Sequence, residues 1–265
     1  MNTVGFIGCG NMGGALIRAT AKVEYAKHIR VADKIRERAE SLAYDTGAVV
    51  STAAEVAGSC GYFFLGVKPQ GMEELFDEIR DVMKERTDRF VVITMAAGVP
   101  IERIRKLADI PDLPIIRIMP NLPVAADEGM IVYTPDLVTE EETEVFLRIL
   151  ANAGKLVRVT EEQMDAATGL SGSGPGFVCY FIEALVNGGM KCGFSKEQAT
   201  ELAIQTVKGT ALLLQQKGLD PKDLREAVCS PHGTTLAGLS ALQEGSFYQD
   251  AEAAVVRAYH RAKEL

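Results

Sequence analysis

The chain has 265 residues, 47% hydrophobic and 24% charged, with a formal net charge of −8. This is the composition of a globular protein of one large or two modest domains, without the basic clusters of a nucleic-acid footprint. No apolar run reaches the ~18 residues of a membrane span, and the first strand begins too near the N-terminus to leave room for a signal peptide.

The chain opens on an apolar strand over 3–8 that runs into Gly8-x-Gly10-x-x-Gly13, followed by a helix-like run from Gly14 to Lys22. A second strand, 28–33, ends in Asp33, which follows Gly13 at the ~20-residue spacing of the dinucleotide-binding fingerprint. Gly8 permits the tight turn, Gly10 lets a pyrophosphate approach the backbone, and Gly13 lets helix and strand pack closely. The phosphates would then lie on a helix N-terminus, where free N–H groups and the dipole favour anions. The weaker alternative is a purely structural turn. Further strands are predicted at 47–50, 61–67, 89–95, 113–119, 129–134 and 154–159, with helical patterns between many of them. Thr52-x-x-Glu55 and Thr139-x-x-Glu142 have the form of capping boxes, and Pro100 suits the first turn of a helix over 100–107. The alternation predicts an α/β fold with a doubly wound, mostly parallel sheet over residues 1–160.

After residue 160 the strand pattern stops. Helices are predicted at 161–170, 175–192, 196–216, 221–229, 234–244 and 248–263, with capping boxes at Thr160-x-x-Gln163 and Ser195-x-x-Gln198 and an Asp220-Pro221 start. Residues 161–265 therefore read as an all-helical second domain. The helix at 175–192 is apolar nearly all round, through Phe177, Val178, Tyr180, Phe181, Ile182, Leu185 and Val186. Such a helix needs burial on every side, which a subunit interface would supply; a compact central helix is the alternative. The five cysteines (Cys9, Cys60, Cys179, Cys192, Cys229) are odd in number and lack metal-ligand spacing. They read as reduced, mostly buried thiols of a cytoplasmic protein, and no metal site is expected.

Three segments follow strands where ligands bind in open α/β sheets: Lys68-Pro69, Ala96-Ala97-Gly98 and Met119-Pro120-Asn121. Each alone could be an ordinary turn; with the glycine fingerprint they outline a cofactor crevice. In the helical half, Leu170–Gly176 forms a flexible polar loop entering the apolar helix, and Ser230-Pro231-His232-Gly233-Thr234-Thr235 enters another. A helix start of this kind can hold a carboxylate without a cationic side chain, or can be no more than a capped helix end. His232 could serve as a general acid or face solvent. His28 and His260 look incidental, and no covalent nucleophile stands out.

The motifs Gly-Phe-Ile-Gly-Cys-Gly-Asn-Met-Gly (5–13), Val-Lys-Pro (67–69), Ala-Ala-Gly (96–98), Met-Pro-Asn (119–121), Gly-Leu-Ser-Gly-Ser-Gly-Pro (169–175) and Ser-Pro-His-Gly-Thr-Thr (230–235) together resemble pyrroline-5-carboxylate reductase. The resemblance runs in order along essentially the whole chain, and the last three motifs are much more specific than the glycine loop. It implies a Rossmann domain followed by a helical dimerisation domain, with dimers that commonly assemble further, into decamers. It implies transfer of hydride from NADPH or NADH to the C=N carbon of 1-pyrroline-5-carboxylate, giving L-proline.

Carried over residue by residue, the resemblance assigns Gly8, Gly10, Asn11, Met12, Gly13, Asp33, Lys34, Val67, Lys68, Pro69, Ala96, Ala97, Gly98 and Asn121 to the cofactor. Gly233, Thr234, Thr235 and Ser173 fall to the substrate. Backbone N–H groups of the Gly233–Thr235 loop would hold its carboxylate, and Thr235 would donate or orient the proton at the ring nitrogen. Asp33 favours a free ribose 2′-OH and hence NAD, whereas Lys34 and Arg36 could bind a 2′-phosphate; the family's frequent use of NADP tips the expectation to NADP. This chain departs from the family at His232, where glycine is usual, at Leu122 for threonine, at Gly176-Phe177 for Ala-Tyr, and at Ala53 or Ala54 for an asparagine. A side chain at 232 would disturb the loop if that position needs a positive φ. Two other readings are a 3-hydroxyacid-type dehydrogenase, for which Lys191 and Lys208 lack the glycine-rich context of a catalytic lysine, and an NAD(P)-sensing protein without turnover.

Overall fold

A computed structural model describes residues 3–23 and 26–264. The chain divides into two compact units: one ends at Ser173 and takes in the chain from Ala258 on, and the other is Gly174–Arg257. In chain order the first unit carries β1 (Val4–Ile7), α1 (Asn11–Thr20), β2 (Ile29–Ala32), α2 (Arg36–Thr46), β3 (Val49–Val50), α3 (Ala53–Ser59), β4 (Tyr62–Leu65) and α4 (Met72–Lys84). It continues with β5 (Val91–Thr94), α5 (Ile101–Ala108), β6 (Ile115–Met119), β7 (Gly129–Asp136), α6 (Glu140–Ile149), β8 (Gly154–Arg158) and the short α7 (Met164–Ala167).

The strands form one eight-stranded sheet in the order β3-β2-β1-β4-β5-β6-β7-β8. Every pairing is parallel except β6 with β7. Strands buried on both faces read as continuous apolar runs, and their side chains alternate between two cores. Phe6, Phe64, Ile93 and Ile118 face the cluster closed by α1, α2 and α6, whereas Ile7, Phe63, Val92 and Ile115 face the one closed by α3, α4 and α5. Phe6 and Phe64 stack across β1 and β4 with ring centroids 4.4 Å apart.

The capping boxes at Thr52 and Thr139 form as expected. Four local expectations shift. The first helix starts at Asn11, so Gly13 and Gly14 lie inside it. Pro100 is extended (φ −74°, ψ 161°) and caps α5 from outside rather than opening it. The single helix expected at 161–170 is a composite: a 3-10 turn at Glu161–Gln163, α7, and a π-helical turn at Thr168–Gly172. What was expected as a flexible loop before the apolar helix shrinks to Ser173 alone. Helical winding saturates most of the backbone groups that an open loop would leave to water.

The second unit is helical throughout: α8 (Gly174–Lys191), α9 (Lys196–Lys217), α10 (Pro221–Ala227), α11 (Thr234–Glu244) and α12 (Phe247–Ala262), whose last residues belong to the first unit. Ser195 caps α9 by a capping box and Asp220 caps α10 ahead of Pro221. α8 meets α9 through Val186, Ala199 and Ala203, with Ile182 beside them. A Cβ on Gly189 would lie 3.0 Å from that of Ala199, so glycine is what admits this close approach. The rest of α8 lies open: Tyr180 is 78% exposed and Val178 46%. All five thiols are free, but only Cys9 and Cys60 are buried. Cys179 and Cys192 are exposed, because the helical unit has too little core to cover them. Among the described residues, no helix is long and apolar enough to cross a membrane.

Candidate active site

Parallel strands end on one edge of a sheet, and the strand order here reverses about β1, which puts a topological switch point between β1 and β4. The turns after β1, β2, β4, β5 and β6 therefore line one edge, bringing together Gly8–Gly13, Asp33–Lys34, Val67–Pro69, Ala96–Gly98 and Asn121. Gly8 has φ +108°, and a Cβ there would stand 2.6 Å from the Gly66 carbonyl oxygen. A Cβ on Gly13 would collide with the Gly8 carbonyl oxygen. Gly10 differs: nothing lies within 4 Å of where its Cβ would be. The first two glycines are required by the protein's own packing, whereas Gly10 faces open space at the start of α1. No side chain caps that helix and no acid occupies its first turn. An open, uncapped helix start at a switch point fits a pyrophosphate.

A cleft of about 840 Å³ extends from this point over α1 and α2. Cys9, Gly10, Asn11 and Met12 line it, together with Lys68 and Leu122. The cations that reach it from the helices are Arg18 and Arg38, neither of which was singled out from the sequence. Lys34 instead pairs with Glu74 at 2.6 Å, and Arg36 with Glu40 at 2.7 Å. The signal for Arg38 was available: Arg38, Ser41 and Leu42 are spaced i, i+3, i+4, and Leu42 is an inward anchor of α2. Arg18 is shared with Asp45 at 2.7 Å.

Asp33 holds the glycine turn to the end of β2. Its two oxygens accept the N–H groups of Cys9 (2.6 Å) and Ile35 (2.8 Å). Burial, and secondarily the Asp33 charge, pushes the Cys9 thiol up to about 12, so it stays protonated and inert.

The turn after β6 connects the crevice to the segment 161–173. Asn121 is buried, its Oδ1 accepting the Met130 N–H (2.8 Å) and its Nδ2 donating to the Ser171 carbonyl (3.0 Å). Arg117 is 4% exposed and donates to Glu161 at 3.2 Å, with Asp165 at 3.7 Å. The same Glu161 oxygen accepts the Ile101 N–H at 2.7 Å, tying the start of α5 to this segment just beyond Ala96–Gly98. The sequence offered no sign of this bridge, whose partners are 44 and 60 residues apart.

Gly233, Thr234 and Thr235 belong to the second unit, and Ser173 and the cofactor edge to the first. Gly233 is the N-cap of α11, donates its N–H to the Ser230 carbonyl (2.9 Å), and leaves the first turn without a side-chain cap or an acid. His232 is exposed and has φ +57°, in the left-handed region where the family's usual glycine is free of strain. Histidine is among the side chains that tolerate it best.

Comparison with known proteins gives a consistent picture. Residues 161–265 match the family model for pyrroline-5-carboxylate reductase dimerisation, and residues 3–98 that for coenzyme F420-dependent NADP oxidoreductase. The pyrroline-5-carboxylate reductase of Aquifex aeolicus is 35% identical over 264 residues, covering 99% of this chain and 97% of that one. Among solved structures, the Coxiella burnetii pyrroline-5-carboxylate reductase superposes with a TM-score of 0.91 at 27% identity, covering 99% and 98% of the two chains. The Plasmodium falciparum pyrroline carboxylate reductase with NADP bound gives 0.87 at 26%, covering 99% and 97%.

Proposed function

Because the chain belongs to the pyrroline-5-carboxylate reductase family, we infer that its two halves divide the work of one imine reduction. The protein is an NAD(P)H-dependent oxidoreductase that reduces 1-pyrroline-5-carboxylate to L-proline, the last step of proline biosynthesis. The observation that carries the reading is full-length similarity to the family in a chain whose Gly10 leaves open the place a pyrophosphate needs.

We assign dinucleotide binding to residues 1–160, and substrate binding and dimerisation to 161–265. When bound, the reduced nicotinamide supplies hydride to the C=N carbon, while the ring nitrogen takes a proton. The amides of Gly10–Gly13 hold the pyrophosphate, with Asp33, Lys34, Val67–Pro69, Ala96–Gly98 and Asn121 along the same edge. The free amides of Thr234 and Thr235 hold the substrate carboxylate at the start of α11, where Gly233 closes the turn onto Ser230, and Ser173 is assigned to the same substrate. Thr235 orients the ring nitrogen or gives it the proton. A protonated imine is electrophilic enough that alignment of the two reactants, rather than a strong acid, supplies most of the acceleration.

NADPH is the favoured reductant: Arg18, Arg38 and Lys68 give the cleft three cations against Glu37. The working form is a homodimer, able to assemble further to a decamer. The matched dimerisation model and the open apolar face of α8 support this assignment. The five free thiols suit the reducing cytoplasm.

The test is turnover of pyrroline-5-carboxylate with NADPH and with NADH, followed by loss of nicotinamide absorbance. Both should work, NADPH more efficiently. Thr235→Ala should lower kcat about 100-fold with NADPH affinity nearly unchanged. Absence of turnover with either cofactor sinks the function, and equal loss of affinity and kcat sinks the role of Thr235.

A further inference from the structure

Asn121 follows β6 at the N-cap of a 3-10 turn, Leu122–Ala126, where an asparagine ordinarily folds its side chain onto the amides ahead of it. It makes no such bond. Both ends of its amide reach elsewhere, to the Met130 N–H and to the Ser171 carbonyl fifty residues on.

The Ser171 carbonyl has a particular need. It lies in the π-helical turn Thr168–Gly172, closed by the Ser173 N–H donating to the Thr168 carbonyl at 2.9 Å. In α-helical winding the partner of the Ser171 carbonyl would be the N–H of residue 175, and that residue is Pro175, which has none. Asn121 Nδ2 takes its place at 3.0 Å. The Met119 side chain lies against the same turn, its Cγ 3.8 Å from where a Gly172 Cβ would be. π-turns cost helix stability and persist where the surroundings hold them, often at functional sites.

We propose that Asn121 is a positioning residue for the substrate side of the site: by holding the Ser171 carbonyl it fixes the π-turn that presents Ser173. The same residue lies in the turn after β6 that lines the cofactor edge, so one side chain sets the register between the two. The proposal rests on the assignment of Ser173 to substrate.

The test is Asn121→Asp, which keeps the acceptor for Met130 and removes the donor for Ser171. At about pH 8 the ionised carboxylate opposes the Ser171 carbonyl, and KM for pyrroline-5-carboxylate should rise about tenfold over wild type, a larger change than any loss of NADPH affinity by calorimetry. Toward about pH 5.5 a buried carboxyl regains its proton and can donate again, so the ratio to wild type should fall toward one. Taking the ratio cancels the titration of the substrate itself. A ratio independent of pH, or NADPH affinity falling as far as KM rises, overturns the proposal.

Should Asn121→Asp not fold, Asn121→Ala is compared with Asn121→Ala/Pro175→Ala and with Pro175→Ala alone. Alanine at 175 carries the N–H that Ser171 lacks, so the double variant should bring the raised KM of the single one back toward wild type; no such return overturns the proposal. Ser173→Ala separates the premise from the inference. If it leaves KM unchanged, the assignment of Ser173 fails and the proposal with it. If it raises KM while Asn121→Asp does not, the positioning role alone fails.

Discussion

Arg38 and Lys34 show how little a residue's place in the sequence says about what its side chain meets. Lys34 stands next to Asp33, where a 2′-phosphate reader is expected, yet it pairs with Glu74 across the surface. Arg38, one turn into α2, borders the cleft. Arg38→Ala should weaken NADPH binding about tenfold or more relative to NADH, the scale of a lost charge-assisted hydrogen bond, whereas Lys34→Ala should barely change the ratio; calorimetry with both cofactors decides, and the reverse order refutes the assignment. His232 poses a backbone question. The left-handed conformation costs a non-glycine residue ~1–2 kcal/mol, and glycine carries ~0.5–1 kcal/mol of extra entropy loss, so His232→Gly should raise stability by about 0.5 kcal/mol. A β-branched His232→Val should lower it. Urea midpoints measure both, and a His232→Gly protein less stable than wild type counts against strain at this site.

Helix starts were the most legible elements, because a capping box is a contact within four residues and needs no tertiary structure. Thr139 and Glu142 add a tertiary partner that the sequence did not announce. Glu142 also receives Arg89 in a bidentate pair, at 2.5 and 2.9 Å, and Arg89 further donates to the Leu137 carbonyl. The Arg89 guanidinium holds the Glu142 carboxyl below the usual carboxylate range. A carboxyl lowered in the folded state contributes its stability above the unfolded value and loses it as pH falls through the folded one. Glu142→Gln keeps the capping box and removes the ion pair. It should cost about 1 kcal/mol near neutrality, and the difference from wild type should close as pH falls below the ordinary carboxylate range. A difference that persists in acid would mean that the pair is not its source. The π-turn at Thr168–Gly172 was not legible as such, since the apolar spacing of a single helix turn does not distinguish α from π winding. What accompanies it is a contact from far along the chain, the Asn121 amide in the turn after β6, and a proline at 175 that lacks a donor.

At the scale of the whole molecule, α8 carries the clearest unmet requirement. It is apolar nearly all round, and its outer side chains remain open in the single chain. A stable dimer covers ~800 Å² per partner around an apolar centre, and Tyr180 and Val178 lie on this open surface. Tyr180→Glu should shift the protein toward monomer in light scattering after size exclusion, with the sheet unit still folded; a dimer equally resistant to dilution would place the interface elsewhere. The sequence by itself determined the number of strands and their places along the chain, the start of most helices and the glycine turn, and its resemblance to a family implied the reaction. These rest on local periodicity, on short capping contacts and on motifs whose chemistry is carried by adjacent residues. The tertiary structure alone decided which cation faces the cleft, how Asp33 and Asn121 use both ends of their side chains, which thiols are buried, and that residue 232 adopts a left-handed backbone. Each of those depends on groups brought together from distant parts of the chain, or on a φ angle that a side chain's identity does not specify.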